Sequence, residues 1–157
     1  MSEALADYRA SSGRLEPVWL VSVQTVPDDV DQILDAVMEV DSLRYGNYDR
    51  NASVSAVGRE TARPRPGSTT DSHVEGFEPG ATETYPIVEV AFAIAREVKL
   101  LEQVMDAILH VHHYEEPVVR VSEVWESRSN YDPNNDNPNR WWNNGRGLPE
   151  RSTSWTD

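Results

Sequence analysis

The sequence predicts an α+β domain whose elements run β-α-β-β-α-β, and three observations carry that prediction. Residues 18–25 and 87–94 are β-branched runs of strand length. Two later segments repeat apolar residues at helical spacing, Val30, Ile33, Leu34, Val37 and Met38 in one and Leu101, Val104, Met105 and Ile108 in the other. A final β-rich stretch, VVRVSEVWE at 118–126, closes the order.

Taken along the chain, residues 1–17 show no periodicity and are expected to form a mobile N-terminal arm. The first strand opens at Val18, with Trp19, Val21 and Val23 sharing one face. Pro27 suits the first turn of a helix, where its missing N–H costs nothing. Asp28, Asp29 and Asp31 then complement the positive end of the helix dipole. Residues 41–49 read as a turn and 51–57 as a second strand, while Pro64 and Pro66 push its extension over 59–70 to an edge or a loop. Residues 67–84 form a long polar connection. In the third strand Val88, Val90, Phe92 and Ile94 point one way, and Ile87, Glu89, Ala91 and Ala93 the other. A second helix over 97–110 precedes the fourth strand, which completes a ferredoxin-like arrangement with two helices on one face of a four-stranded antiparallel sheet. The domain is expected to span 18–127, and residues 128–157 to form an irregular tail, rich in Asn and Pro yet bearing Trp141, Trp142 and Trp155. Fully disordered segments are poor in aromatics, so Trp141 and Trp142 are expected to dock and to order residues 130–147.

Composition narrows the chemistry. The net charge is −13, and the four arginines from Arg128 onward balance the four acids there, so the whole excess belongs to residues 1–127. A phosphate-backbone binder needs clustered cations, so nucleic acid is not an expected partner. With no cysteine there is no disulfide, no thiolate nucleophile and no Cys-ligated metal. No apolar run reaches membrane-spanning length and the first residues lack signal-peptide character, so a cytoplasmic location is expected.

Three clusters carry candidate chemistry. His112, His113, Glu115 and Glu116 offer imidazole and carboxylate donors that suit zinc, copper or nickel, although His112 equally ends the apolar stripe of the second helix and the segment equally shapes a turn. Tyr45, Asn47, Tyr48 and Asp49 suit the rim of a ligand pocket, and Asn47 beside Gly46 is equally what a tight turn needs. Arg59, Arg63 and Arg65 suit an anion, or else pair with acids such as Glu60. His73, Glu75 and Glu78 add donors in the long connection. Neither a Ser-His-Asp constellation nor a nucleotide fingerprint is present.

The segments RYGNYD (44–49) and HHYEEP (112–117) carry a family resemblance. At these places in the same βαββαβ frame, the chain resembles the domain inserted in Nif-three-like proteins, with its R-I-G-N-Y-D turn and H-P-Y-E-E-P segment. CutA-type divalent-cation-tolerance proteins share a similar H-P-Y-E segment, and PII signalling proteins the general fold. The resemblance covers residues 18–127, with His113 in place of the first proline and VGRETARP (57–64) in place of a glycine-rich strand. Nif-three-like proteins hold their dinuclear metal in lobes flanking the inserted domain, which have no counterpart here. The free-standing relatives imply a homo-oligomer, a trimer, used for binding or regulation. The expected function is therefore a non-enzymatic accessory or regulatory protein binding a small ligand, metal ion or partner protein at subunit clefts. Two alternatives stand beside it: a small enzyme drawing acid–base groups from HHYEEP and RYGNYD, and a structural subunit docked through the tail.

Overall fold

The computed structural model describes residues 5–130 together with Arg140, Trp142, Gly145, Gly147, Leu148, Glu150, Arg151, Ser152 and Trp155. Among these, the elements are β1 (Arg9–Ala10), β2 (Gly13–Thr25), a 3-10 turn (Pro27–Asp29), α1 (Val30–Met38), β3 (Ser53–Val54), β4 (Gly58–Ala62), α2 (Thr69–His73), β5 (Glu83–Ala95), α3 (Val98–Val111) and β6 (Val119–Ser129). All strand pairs are antiparallel. Strand β2 lies between β5 and β6, while β3 and β4 pair in succession with β5. Across the sheet the strands therefore run β6, β2, β5, then β3 with β4, which is the ferredoxin-like order.

Register explains the core. Val21 faces Phe92, Val23 faces Val90 and Thr25 faces Val88, so one row of each central strand points to the same side. Helices α1 and α3 cover that side with Val30, Ile33, Leu34, Val37, Val104 and Ile108, all buried. The 3.6-residue repeat of each helix thus meets the two-residue repeat of each strand. Removing one such side chain, as in Ile33→Ala, costs about 2–5 kcal/mol through lost burial and a residual cavity. Gln32 ties the helices together by donating from Nε2 to the Val111 carbonyl at 3.1 Å. After α1 the chain turns through Leu43 and Arg50, with φ of 51° and 54°. Arg50 then reaches back to Asp31 and Asp35 on α1.

Several boundaries move from those expected. The first strand begins at Gly13, not Val18, so much of the expected arm is paired: residues 13–17 run alongside residues 125–129. Arg14 and Glu16 make this stretch look like a loop, yet their charges are met within the sheet. Arg14 Nη2 lies 2.6 Å from Glu16, and Arg128 bridges Glu16 and Glu126 at 3.4 and 2.5 Å. The β5 ladder stops at Val18, so Pro17 has one strand neighbour and forfeits at most one ladder bond. Of the expected second strand only Ser53–Val54 is paired, as β3, while β4 forms in the expected edge or loop extension and ends at Ala62 before the two prolines. The long connection contains the five-residue α2, capped by Ser68 Oγ accepting from the Asp71 N–H at 3.2 Å.

Of the tail, Tyr131 and Trp141 lie outside the described residues. Trp142 is 46% exposed beneath the Arg140 guanidinium, 5.2 Å from its ring. Trp155 Nε1 approaches Asp31 at 3.5 Å. Among the described residues no helix is long and apolar enough to cross a membrane.

Candidate functional site

A cleft of about 750 Å³ opens where the α3–β6 turn, the β4–β5 hairpin and the long connection meet. His113, Tyr114, Glu115 and Glu116 form one wall. Glu60, Ala62 and Tyr85 come from the hairpin, and Thr69, Thr70, His73 and Val74 from α2 and the residue after it. The hairpin contribution follows from register: Glu60 is paired with Tyr85, so the two side chains share a face. Arg59, one residue earlier and paired with Pro86, stands on the other face.

The HHYEEP segment divides by depth. His112, 9% exposed, meets the Gln24 carbonyl through Nε2 at 2.8 Å, and its Nδ1 accepts from the Tyr114 N–H at 3.0 Å. Only the tautomer protonated at Nε2 satisfies both, because a carbonyl can only accept. His112 would have to give up one of these bonds to ligate a metal, so its observed role is to fasten the end of α3 to the end of β2. Its ring also meets that of Tyr114 edge-on at 5.1 Å. His113 faces the cleft, its Nδ1 3.6 Å from Asp29.

Glu115 crosses to the long connection. Its Oε2 accepts from the Thr69 N–H at 2.9 Å and from the Thr69 hydroxyl at 2.8 Å. Those two bonds, the backbone one first, hold its carboxyl below the usual glutamate range. The Tyr114 hydroxyl is sealed from solvent beside Glu60. Burial first, then the negative charge of Glu60, pushes that phenol up to about 12. His73 turns its Nδ1 to the Thr69 carbonyl at 2.9 Å and Ser72 Oγ at 2.8 Å.

The other expected clusters lie elsewhere. In the RYGNYD turn, Tyr45 and Tyr48 exchange backbone hydrogen bonds of 2.7 and 3.1 Å around Gly46, whose φ is 61°. That conformation favours glycine at the first position of a two-residue loop. Tyr45 donates to the Ser127 carbonyl at 2.5 Å and lies under the Arg128 guanidinium, 4.4 Å from its centroid. Asn47 and Asp49 are exposed, and Tyr48 is 72% exposed. Ser127 and Val119 are eight steps apart on β6. The turn and the cleft thus sit about 26 Å apart along that strand. Arg63 donates to Thr82 Oγ1 at 3.2 Å and, like Arg59 and Arg65, is not part of the cleft wall.

Among the described residues, no group of three or more His, Asp or Glu side chains is arranged to hold a metal ion. The cleft brings His113, Glu115 and Glu116 together with His73, which the sequence places in a separate loop. Its unforeseen members are Glu60, Tyr85, Thr69 and Thr70. Alternation along β4 separates Glu60 from Arg59, but only the β4–β5 register shows which of them faces the cleft.

No family model and no curated protein matches the chain. Solved structures do. A NIF3-related protein of Bacillus cereus superposes with a TM-score of 0.56 at 20% identity, over 75% of this chain and 28% of that one. The chain therefore spans little more than a quarter of that protein's length. This likeness shows the fold the chain shares with part of that protein. A CutA1 protein of Oryza sativa has a TM-score of 0.46 at 12% identity, covering 69% of this chain and 80% of its own. CPII, a nitrogen regulatory PII-like protein of Thiomonas intermedia, has a TM-score of 0.44 at 12% identity, covering 73% and 98%. The resemblance carried by RYGNYD and HHYEEP and the likeness of fold thus point the same way.

Proposed function

We propose that this chain is a non-enzymatic accessory or regulatory protein that binds a positively charged ligand in the cleft beside HHYEEP, as part of a homo-oligomer. The observation that carries the reading is the composition of the cleft wall. Glu60, Glu115 and Glu116 contribute carboxylates, and among the described residues no Lys or Arg lines it. A phosphate or carboxylate ligand would meet repulsion there without the basic donors that such groups require. A cation meets attraction. Divalent zinc, copper or nickel belongs to that charge class; His113, Glu115 and Glu116 carry donor types that suit it, and His112 falls outside the set because both its nitrogens are engaged.

The oligomer is supported by the sheet face turned away from the helices. Leu20, 36% exposed, has Ala93 on one side and Ser122 on the other, and Ser22 has Ala91 and Arg120. Apart from Arg120 the residues of these rows are small or apolar, which suits close contact between copies, and a trimer is the assembly proposed. The enzyme alternative needs the same assembly, since RYGNYD and HHYEEP lie at opposite ends of β6 and meet only across a subunit boundary. Calorimetric titration with divalent metals, amines and nucleotides tests the reading. Stoichiometric heat with a cation and none with nucleotides is expected. Binding of nucleotides alone would overturn it.

A further inference from the structure

Resting on the reading of the cleft as a ligand site, we infer that its occupant is a small organic cation, an ammonium or guanidinium group carried on a short apolar or planar body. Size comes first. A cleft of about 750 Å³ falls within the range of small-molecule sites and far exceeds a single ion.

The donors are dispersed and partly spoken for. A metal needs three or more ligands converging at bonding distance, which the described residues do not offer. Glu115 would also have to release Thr69, and His73 the Thr69 carbonyl and Ser72, if the same atoms were to coordinate. An organic cation makes no such demand. Its several N–H groups take separate carboxylates at hydrogen-bond distance, and a carboxylate that already accepts at one oxygen still has the other. Glu115 Oε1 has no partner among the described residues, which leaves it open to a donor in the cleft.

The remaining walls suit the body of such a ligand. Tyr85 and Tyr114 present aromatic surface, which attracts cations through the negative ring face. Val26, Ala62 and Val74 present apolar surface, which a hydrated metal does not use and a carbon skeleton does.

The test is a titration of the full chain at neutral pH with 1,4-diaminobutane and butylguanidinium, beside 1,4-butanediol, zinc chloride and ATP, read by calorimetry and by amide shifts of the cleft residues. Both amines are expected to bind at the cleft, to weaken with added salt, and to bind about fivefold or more weaker in Glu60→Gln and in Glu116→Gln. Butanediol, of similar length without charge, is expected to be silent. Tyr114→Phe, which keeps the ring and every charge, is expected to weaken binding less than either acid substitution, and thermal melting of each variant establishes that it is folded. Zinc bound at the cleft residues with neither amine bound would overturn the organic cation while sparing the cleft as a cation site. Amine affinity unchanged in both folded acid variants would also overturn it. Silence of the cleft toward every probe would overturn the cleft reading as well.

Discussion

Glu115 accepts both the backbone N–H and the side-chain hydroxyl of Thr69, a residue 46 positions earlier in the chain. This pair fastens the start of α2 to the α3–β6 turn and so closes one side of the cleft. Because the bonds favour the ionised carboxyl, its pKa is depressed below the ordinary 4.5. A depressed carboxylate contributes above its unfolded pKa and loses that contribution as pH falls through the folded value. The Thr69 amide shift should therefore titrate with a midpoint below the ordinary glutamate range, and Glu115→Gln should abolish that titration. A midpoint at or above the ordinary value would contradict the pairing.

Tyr114 predicts an effect at the other end of the pH scale. Its phenol is raised from 10.0 to about 12, first by burial and then by Glu60. A group whose folded pKa is raised contributes fully below its unfolded pKa, and the contribution is lost as pH rises through the folded value, here between about 10 and about 12. Ultraviolet titration should show a tyrosine still un-ionised at about pH 11 whose signal is lost in Tyr114→Phe. The same titration curve at high pH in the parent and in Tyr114→Phe, apart from one fewer phenol ionising near 10, would count against a sealed hydroxyl.

His112 should behave as a structural residue. His112→Ala removes hydrogen bonds to Gln24 and Tyr114 together with a buried ring, and is expected to cost about 2–4 kcal/mol in urea denaturation. A change within about 0.5 kcal/mol would show that the α3 end is held by other contacts.

Gly13 tests the early start of β2. A Cβ there would meet the Arg128 carbonyl oxygen at 2.7 Å, and backbone has little room to yield. Gly13→Val should cost about 1–3 kcal/mol, and should speed amide exchange at the paired end of β6 before the rest of the sheet. Unchanged exchange from Arg128 to Ser129 would mean that this end is not paired in solution.

The contrast between Gly13 and Val18 shows what sequence can reveal here. The βαββαβ order is legible because the apolar repeats of β2, β5, α1 and α3 report one-sided burial directly. The beginning of β2 is not, because a glycine, a proline and two charges read as a loop, and what makes them strand is pairing with residues 125–129, more than a hundred positions away. The same holds for the site. HHYEEP is visible as a cluster, but the division between buried His112 and cleft-facing His113 depends on the Gln24 carbonyl, and the membership of Glu60 on the β4–β5 register. Arg59 and Arg63 look more conspicuous in an acidic chain than Glu60, yet the pleat sets Arg59 facing away.

Assembly is open to direct measurement. Leu20→Glu places a charge on the sheet face away from the helices, where the folded subunit can accommodate it. Light scattering should show the parent as a multiple of 17.7 kDa and Leu20→Glu shifted toward the single-chain mass with unaltered circular dichroism. A parent already at the single-chain mass at micromolar concentration would rule out the oligomer.

The most direct test of the cation cleft is a two-dimensional amide NMR titration of the full chain with 1,4-diaminobutane, followed residue by residue. Saturable shifts confined to Glu60, Thr69, Thr70, Tyr85 and His113 to Glu116 are predicted, fading in Glu60→Gln. Shifts centred instead on the Arg59, Arg63 and Arg65 segment with an anionic ligand, or on the Tyr45 to Asp49 turn, with the cleft unmoved by any cation, would contradict the claim.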